Sequence, residues 1–442
     1  MSGHDDHDGC CGSRSKRLTP AMRERFERVY APEELGGRRR FLQALGGAAA
    51  AGILAGCSSS DASTSTAGPA SPSGSTTTTD ESVTTATADS DAADATVVEG
   101  TLVLGEEMDV TEGRIRIEDG QIESITEEGV DSDRLIAPAF VNPHTHITDA
   151  TAKDGERARN FSWFELFIDP GLKSEINDAA TREQKRTAMA QTMQFMRASG
   201  TGTFVDFKEE GIPGIEDLNM VDEGTAVDAV GLLTGAIDED ADLEAEIEKA
   251  DGYNTYAPYG EQAERAREIC DDLDKVFALH SGEPDADDID ASLALNPDYT
   301  SHMVHAREQD YETLSNDDIG VVALPRSNLV ILDELPPLER LHEATTVALG
   351  TDNVMLNAAS MLREMEFTSK LFDVTPTEVL KMATINGARL SKRADRIGSI
   401  EEGKRARLTV FDTSMELKNV VDPIAGIVRR ATARDVERTI LR

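Results

Sequence analysis

The chain has 442 residues, enough for one large α/β barrel with attachments or for two or three smaller domains. Its 83 Asp and Glu residues outnumber its 44 Lys and Arg residues, which gives a formal net charge of −39. Nucleic acid and anionic membrane surfaces are therefore not expected partners, because both would repel this charge. An acidic bias spread over a whole globular domain also indicates solubility in concentrated salt, so we interpret the source as halophilic.

The segment from Gly36 to Cys57 has the layout of an export signal, with three arginines before a Gly- and Ala-rich apolar run. It resembles a twin-arginine signal, and Leu54 to Cys57 resembles a lipobox that ends in a lipid-modified cysteine. Residues 1–57 are thus predicted to be a leader, and the protein is expected to be anchored through Cys57 on the outer face of the cell membrane. The alternative is an amphipathic N-terminal helix without an export role, which would leave the protein in the cytoplasm.

Residues 58–95 are rich in Ser, Thr, Ala, Gly and Asp and have almost no large apolar side chain. Such a stretch cannot bury enough surface to offset the entropy lost on ordering, so it is predicted to be a flexible tether. A tether directly after a lipobox fits an anchored protein that holds its folded part away from a membrane.

Short β-branched runs separated by Glu-Gly and Asp-Gly turns lie between residues 96 and 135, and they predict a small antiparallel β element. A matching set of strand-like runs lies in residues 396–442. Two β-rich flanks on either side of an α/β middle predict that both flanks fold together into one satellite β-sandwich.

The middle of the chain, residues 136–395, contains eight short strand-like runs, most of them separated by helical patterns. The runs are IAPAFVN, TGTFVDF, VGLLTGAID, GYNTYAP, VFALH, SHMVHA, GVVALP and TVALGTD. Eight strands that alternate with helices are typical of a (β/α)₈ barrel. The predicted fold class is therefore α/β, a (β/α)₈ TIM barrel with a small β-sandwich satellite domain built from both flanks.

A His-Thr-His triplet ends the first of these runs. Successive residues of a strand point to opposite faces, so His144 and His146 project to one side and could begin a metal site. A pair of solvated histidines is the plainer alternative. Active sites of such barrels lie at the C-terminal ends of the strands, where His280, His305 and Asp352 are also expected. Four of the chain's eight histidines thus fall on one rim, which favours the metal site.

The motifs on this rim resemble those of the amidohydrolase superfamily of metal-dependent hydrolases. The similarity is greatest to its deaminase branch, which acts on cytosine, guanine and adenosine derivatives. The matching segments are FVNPHTH, HSGE, HMVHA, PRSN, LGTDN, ATINGARL and RIGSIEEGK, and they follow the family's order. They are spread over most of residues 96–442.

The resemblance implies a role for each candidate residue. The ligands of one divalent metal ion would be His144, His146, His280 and Asp352. Zinc is the expected metal, with iron and manganese as alternatives, and it would lower the pKa of a bound water to about 7. His305 would contact that water or the substrate, Glu283 would shuttle protons, and Asp352 would also accept the proton of the water.

Other branches of the superfamily bridge two metals with a carboxylated lysine at the end of the fourth strand. That strand ends here in Tyr256-Ala257-Pro258, so a single metal is expected. We interpret His302 as a packing or surface histidine. Lys208 and Glu209 either line the pocket or form a surface ion pair. The aromatic insertion Phe161–Gly171 either acts as a lid over a flat substrate or packs on the barrel rim.

The sequence therefore predicts an exported or membrane-tethered hydrolase of non-peptide C–N bonds that deaminates a nucleobase-like or other cyclic amidine. Its expected partner is a small-molecule substrate, and no nucleic acid is expected. One alternative is a ring hydrolase of cyclic amides or imidazolones that uses the same metal. Another is a tethered binding lipoprotein without turnover, against which the presence of Glu283 argues.

Overall fold

The structure is a computed structural model that describes residues 96–153, 162–167, 171–234, 242–256 and 258–442. The predicted leader and tether lie outside the described residues, as does part of the Phe161–Gly171 insertion. Within the described ranges, no helix is both long enough and apolar enough to span a membrane.

Strands from both flanks form one six-stranded sheet. They are β1 (Thr96–Leu104), β2 (Asp109–Glu118), β3 (Gln121–Glu127), β4 (Arg134–Pro138), β14 (Arg407–Asp412) and β15 (Val436–Leu441). Their order is β15-β14-β4-β1-β2-β3, and all neighbours are antiparallel except β1 and β4. Along β2, Ile115 and Ile117 are buried while Arg114 and Arg116 are exposed, so alternation turns one face of the sheet to a core.

The middle of the chain forms a parallel sheet of nine segments. They are β5 (Phe140–His146), β6 (Thr201–Lys208), β7 (Asp228–Thr234), β8 (Gly252–Thr255), β9 (Val276–Ser281), β10 (Tyr299–His302), β11 (Gly320–Ala323), β12 (Val347–Leu349) and β13 (Asp352–Asn353). Their order runs from β12 through β11 down to β5 and ends at β13. Only Gly350 and Thr351 separate β12 from β13, so the two edges of the sheet meet and it closes. The predicted fold class, a (β/α)₈ barrel with a β satellite domain, is confirmed.

Helices separate most of the barrel strands. They are α1 (Trp163–Phe167), α2 (Leu172–Ala179), α3 (Arg182–Ala198), α4 (Ile212–Asp222), α5 (Leu243–Ile247), α6 (Glu261–Asp272), α7 (Ile289–Ala294), α8 (Glu308–Asn316), α9 (Pro325–Leu332), α10 (Leu338–Ala344), α11 (Met361–Leu371), α12 (Pro376–Met382), α13 (Ile385–Leu390) and α14 (Pro423–Arg429), with a 3₁₀ turn at Ile147–Thr151. Helix α3 shows how the sequence specifies them. A capping box between Thr181 and Gln184 starts it, and Met189, Met193 and Met196 form its buried stripe.

The first predicted strand serves both sheets. Ile136 to Pro138 pairs with β14 in the satellite sheet, and Phe140 to Asn142 pairs with β6 in the barrel. Ala139 lies between them, and its N–H donates to the carbonyl of Arg407. The satellite sheet therefore leads directly into the strand that ends in the His-Thr-His triplet. The exact bounds of the predicted domains stay a prediction.

Gly252 lies where β8 runs close to β9. A Cβ atom at this position would lie 2.0 Å from the carbonyl oxygen of Val276, which is a backbone atom and cannot rotate away. We expect Gly252→Ala to push β8 off β9 and to lower the free energy of unfolding by about 1–3 kcal/mol, measured by chemical denaturation. Gly129→Ala is the control, because its nearest neighbour would be a Glu112 carboxylate oxygen at 3.6 Å. Equal losses in the two variants would contradict this prediction.

Candidate metal centre

The carboxyl ends of the barrel strands bring five buried polar side chains together. His144 and His146 belong to β5, His280 to β9, His302 to β10 and Asp352 to β13, and each is at most 5% exposed. The ring centroid of His144 lies 5.2, 4.7 and 5.5 Å from those of His146, His280 and His302. Strands far apart in the sequence thus supply one cluster of side chains.

The four predicted metal ligands lie within this cluster. Single donor atoms of His144, His146 and His280 lie within 4.8 Å of one another, and so do those of His144, His302 and Asp352. Oδ1 of Asp352 lies 3.3 Å from Nε2 of His144 and 3.5 Å from Nε2 of His146. The structure therefore brings the predicted ligands to one place, while their role as ligands stays a prediction.

The orientation of the imidazole rings fits a bound cation. Nε2 of His144, His280 and His302 is buried and makes no well-aligned hydrogen bond within the described part of the chain. The opposite ring nitrogens are held: Nδ1 of His144 lies 2.7 Å from Oγ of Ser301, and Nδ1 of His280 lies 3.2 Å from the amide of Asn254. Buried polar atoms normally have partners, and metal-binding histidines are typically held through their second nitrogen. The donor set therefore fits a divalent metal.

Electrostatics favour the protonation states that a metal requires at three of the four proposed ligands, His144, His280 and Asp352. At His146, burial and Lys173 act to lower the pKa, but Glu209 and Asp352 raise it overall. Burial lowers the pKa of His144 to about 3, although Asp352 acts in the opposite direction. Burial and the neighbouring histidines also hold the pKa of His280 well below its usual value. Burial alone would raise the pKa of Asp352, but the close contact with Nε2 of His144 and the charges around it lower that pKa far more. Neutral imidazoles and an ionised carboxylate are the forms that bind metals.

His302, and not His305, lies at the cluster, which differs from the expectation from sequence. Strand β10 ends at His302, and His302 and Met303 take positive φ values of 75° and 48°, so the chain turns away at this point. The side chain of His305 is 26% exposed, with Nδ1 3.8 Å from a carboxylate oxygen of Glu334. His302 is 1% exposed, so it is not a surface residue.

Glu283 faces His302 across the site. The side chain of Glu283 is buried, and its Oε1 lies 3.7 Å from Nδ1 of His302. Burial raises the pKa of Glu283, while the charge of His302 and the nearby Trp163 side chain act against that rise. Nδ2 of Asn328 lies 2.9 Å from the same Nδ1 of His302. A buried carboxyl group with a raised pKa suits proton transfer near neutral pH.

The aromatic insertion packs on the barrel rim and also reaches the site. Leu166 in α1 is fully buried against Ile331, Met355 and Leu356. Trp163, at the start of α1, lies close enough to Glu283 to lower the pKa of its carboxyl group. The described residues of the insertion therefore pack on the rim, and its role as a lid stays a prediction.

Lys208 and Glu209 have separate surroundings and do not form a surface ion pair with each other. Lys208 is fully buried, and its Nζ lies 2.7 Å from Oδ2 of Asp206 and 2.8 Å from Oγ1 of Thr148. Glu209 reaches the cluster instead, with Oε1 3.3 Å from Nδ1 of His146. The sequence left both possibilities open for these two residues, and only the tertiary structure separates them.

Comparison with known proteins supports the same assignment. The profile of the Amidohydrolase family matches residues 135–442. The chain belongs to this family. It is 30% identical over 391 residues to a protein of Methanothermobacter thermautotrophicus, covering 78% of this chain and 97% of that protein. It is 26% identical over 360 residues to a 5-methylthioadenosine/S-adenosylhomocysteine deaminase of Thermoanaerobacter pseudethanolicus, covering 70% of this chain and 80% of the deaminase.

A solved structure shares the fold of this amidohydrolase. The adenosine deaminase of Xanthomonas campestris, with bound zinc, superposes with a TM-score of 0.66 at 20% identity, covering 78% of this chain and 91% of that one. The predicted family is therefore confirmed. As a member of it, the protein is a hydrolase that acts on C–N bonds.

The placement of the two histidines after β10 predicts which of them matters for hydrolysis. His302→Ala removes a buried ring beside Glu283, so we expect the hydrolytic rate to fall by about 10²–10⁴-fold. His305→Ala alters a partly exposed ring outside the cluster and should leave the rate near that of the unmodified enzyme. Steady-state kinetics of both purified variants measure the difference. A loss confined to His305→Ala would restore the role that the sequence first suggested for His305.

Proposed function

We propose that this amidohydrolase deaminates a small cyclic amidine with a planar, nucleobase-like ring. The observation that carries the proposal is a buried Glu283 with a raised pKa beside a cluster of metal-type ligands. A deaminase needs a group at this place that can both take up and release a proton. The relatives named as deaminases of adenosine-type compounds support the same chemistry.

A divalent metal held by His144, His146, His280 and Asp352 would supply Lewis acidity and lower the pKa of a water molecule. Zinc is the proposed metal, because the adenosine deaminase of the same fold carries it. Iron and manganese accept the same donor atoms.

The protein's own residues would manage the protons. Asp352 is ionised at neutral pH, since its pKa is strongly lowered, and it would accept the proton of the attacking water. Glu283 would take up a proton and deliver it to the nitrogen that leaves or to the ring nitrogen. His302, packed against Glu283, would contact the substrate from the side of β10. Trp163 would add a flat apolar surface next to Glu283.

Glu283→Gln tests the proposed deamination directly. The amide keeps the size of the side chain but cannot carry the proton, so we expect ammonia release to fall by about 10²–10⁴-fold. Bound metal should stay near one equivalent, because Glu283 is not among the proposed ligands. Ammonia is measured with a panel of aminated purines, pyrimidines and nucleosides, and metal by elemental analysis.

The control is Glu312→Gln, an exposed residue of α8, which should behave like the unmodified enzyme. Loss of metal together with activity in Glu283→Gln would contradict the assigned role. Ring opening without ammonia would instead identify a hydrolase of cyclic amides or imidazolones. Tight binding of a panel compound with no product at all would identify a binding lipoprotein.

We also propose export and lipid anchoring through Cys57, together with function in concentrated salt. The sequence from Gly36 to Cys57 and the net charge of −39 support these two proposals. Mass spectrometry of the membrane fraction should find a mature chain that begins at a lipid-modified Cys57. Cys57→Ser should carry no lipid, whereas Cys270→Ser, at a buried cysteine, should leave the modification unchanged. Detection of a chain that keeps its leader and carries no lipid would instead indicate a cytoplasmic protein.

A further inference from the structure

A network of charged groups lies behind His146, on the side away from the candidate metal centre. Oε1 of Glu209 lies 2.5 Å from Nζ of Lys173, 2.5 Å from the hydroxyl of Tyr256 and 3.3 Å from Nδ1 of His146. Glu209 directly follows β6, Tyr256 directly follows β8, and Lys173 lies in α2. Three separate elements thus meet on one carboxylate oxygen next to a proposed ligand.

The network faces the nitrogen of His146 that the metal would not use. Nε2 of His146 points into the cluster, 3.5 Å from Oδ1 of Asp352. Nδ1 points outwards, 3.3 Å from Glu209 and 3.4 Å from Nζ of Lys173. The contacts on Nδ1 therefore decide where the ring carries its proton.

The two neighbours of Nδ1 favour opposite tautomers. An ammonium group can only donate, so a hydrogen bond from Lys173 would leave Nδ1 without a proton and put the proton on Nε2, where it blocks metal binding. A carboxylate can only accept, so Glu209 requires the proton on Nδ1 and leaves the Nε2 lone pair free. Glu209 also draws the ammonium of Lys173 to itself at 2.5 Å, and Asp149 holds it from another side at 3.3 Å.

His146 differs in this respect from two other proposed ligands. The outer nitrogen of His144 meets a serine hydroxyl, and that of His280 meets an asparagine amide, both of which are neutral. Tyr256 also packs against the His280 ring, with centroids 4.2 Å apart, so the network contacts two ligands.

We propose that Glu209, held in place by Lys173 and Tyr256, is a positioning residue that fixes the tautomer and orientation of His146 for metal binding. This inference rests on the proposed metal centre. Partners of this kind typically change metal affinity by about 10–100-fold when they are removed. The ligand of this site is a divalent cation, which His146 would bind through Nε2 while Glu209 keeps the proton on Nδ1.

The test is competition for zinc between the full-length protein and a chelator of known affinity. Glu209→Ala should bind zinc about 10–100-fold more weakly, and Glu209→Gln, which keeps an acceptor oxygen, should recover part of the loss. Glu210→Ala is the matched control, because this neighbouring carboxylate pairs with Lys185 at 3.6 Å and should leave zinc affinity unchanged. Nitrogen-15 spectra of the labelled histidines should show the proton of His146 leaving Nδ1 in Glu209→Ala.

The outcomes separate this inference from the proposed function. Zinc binding by the unmodified protein together with unchanged affinity and an unchanged His146 signal in Glu209→Ala would overturn the role of Glu209 alone. An unmodified protein that binds no zinc would overturn the metal centre itself. If Glu209→Ala does not fold, Tyr256→Phe removes a single hydroxyl and should weaken zinc binding several-fold relative to Glu210→Ala. Equal affinities of these two variants would also overturn the inference.

Discussion

Closure of the barrel between its first and last strands is the constraint on which the site depends. The side chain of Asn142 donates to Oγ1 of Thr351 at 2.7 Å and accepts from the N–H of Thr351 at 3.1 Å. The register that follows pairs Asp352 with Thr145, and this places its carboxylate beside His144 and His146. Asn142 is fully buried, so a lost bond would leave a polar group unsatisfied at a cost of about 1–3 kcal/mol. The contacts that close the barrel therefore also bring the proposed metal ligands together.

Charge balance around the closed rim follows from burial. Two buried lysines there pair with carboxylates: Lys208 with Asp206, and Lys173 with Glu209 and Asp149. Buried charges are tolerated only with such partners, because desolvation is costly. Asp352 contacts His144, whose pKa burial pushes down, and its own pKa is strongly lowered, so its negative charge remains for a metal. The same low polarity that keeps His144 and His280 neutral thus makes the centre suited to a cation.

Local sequence patterns predict the strands of the barrel and of the satellite sheet. They do not predict site residues whose position depends on packing between distant segments. Eight apolar runs and two β-rich flanks suffice for the barrel and its satellite, and strand alternation suffices for His144 and His146. The choice between His302 and His305 depends on where β10 stops, which its pairing with β9 sets and the apolar run SHMVHA does not reveal. No sequence motif points to Lys173. Its position near His146 depends on where helix α2 packs, which only the tertiary structure shows.

The proposed chemistry and the proposed recognition of the substrate come from different parts of this fold. The proposed histidine ligands lie on β5 and β9, which pair with a strand on each side, and Asp352 lies on β13, which pairs with β5, whereas Trp163 and Lys173 lie on helices after β5. Segments of the second kind vary more easily without loss of the fold. Lys173 nevertheless contacts Glu209 and so reaches His146, which means that a change in this segment is felt at the metal ligands. Substrate preference and metal affinity in this enzyme are therefore expected to change together, because two consecutive short helices, α1 with Trp163 and α2 with Lys173, contribute to them.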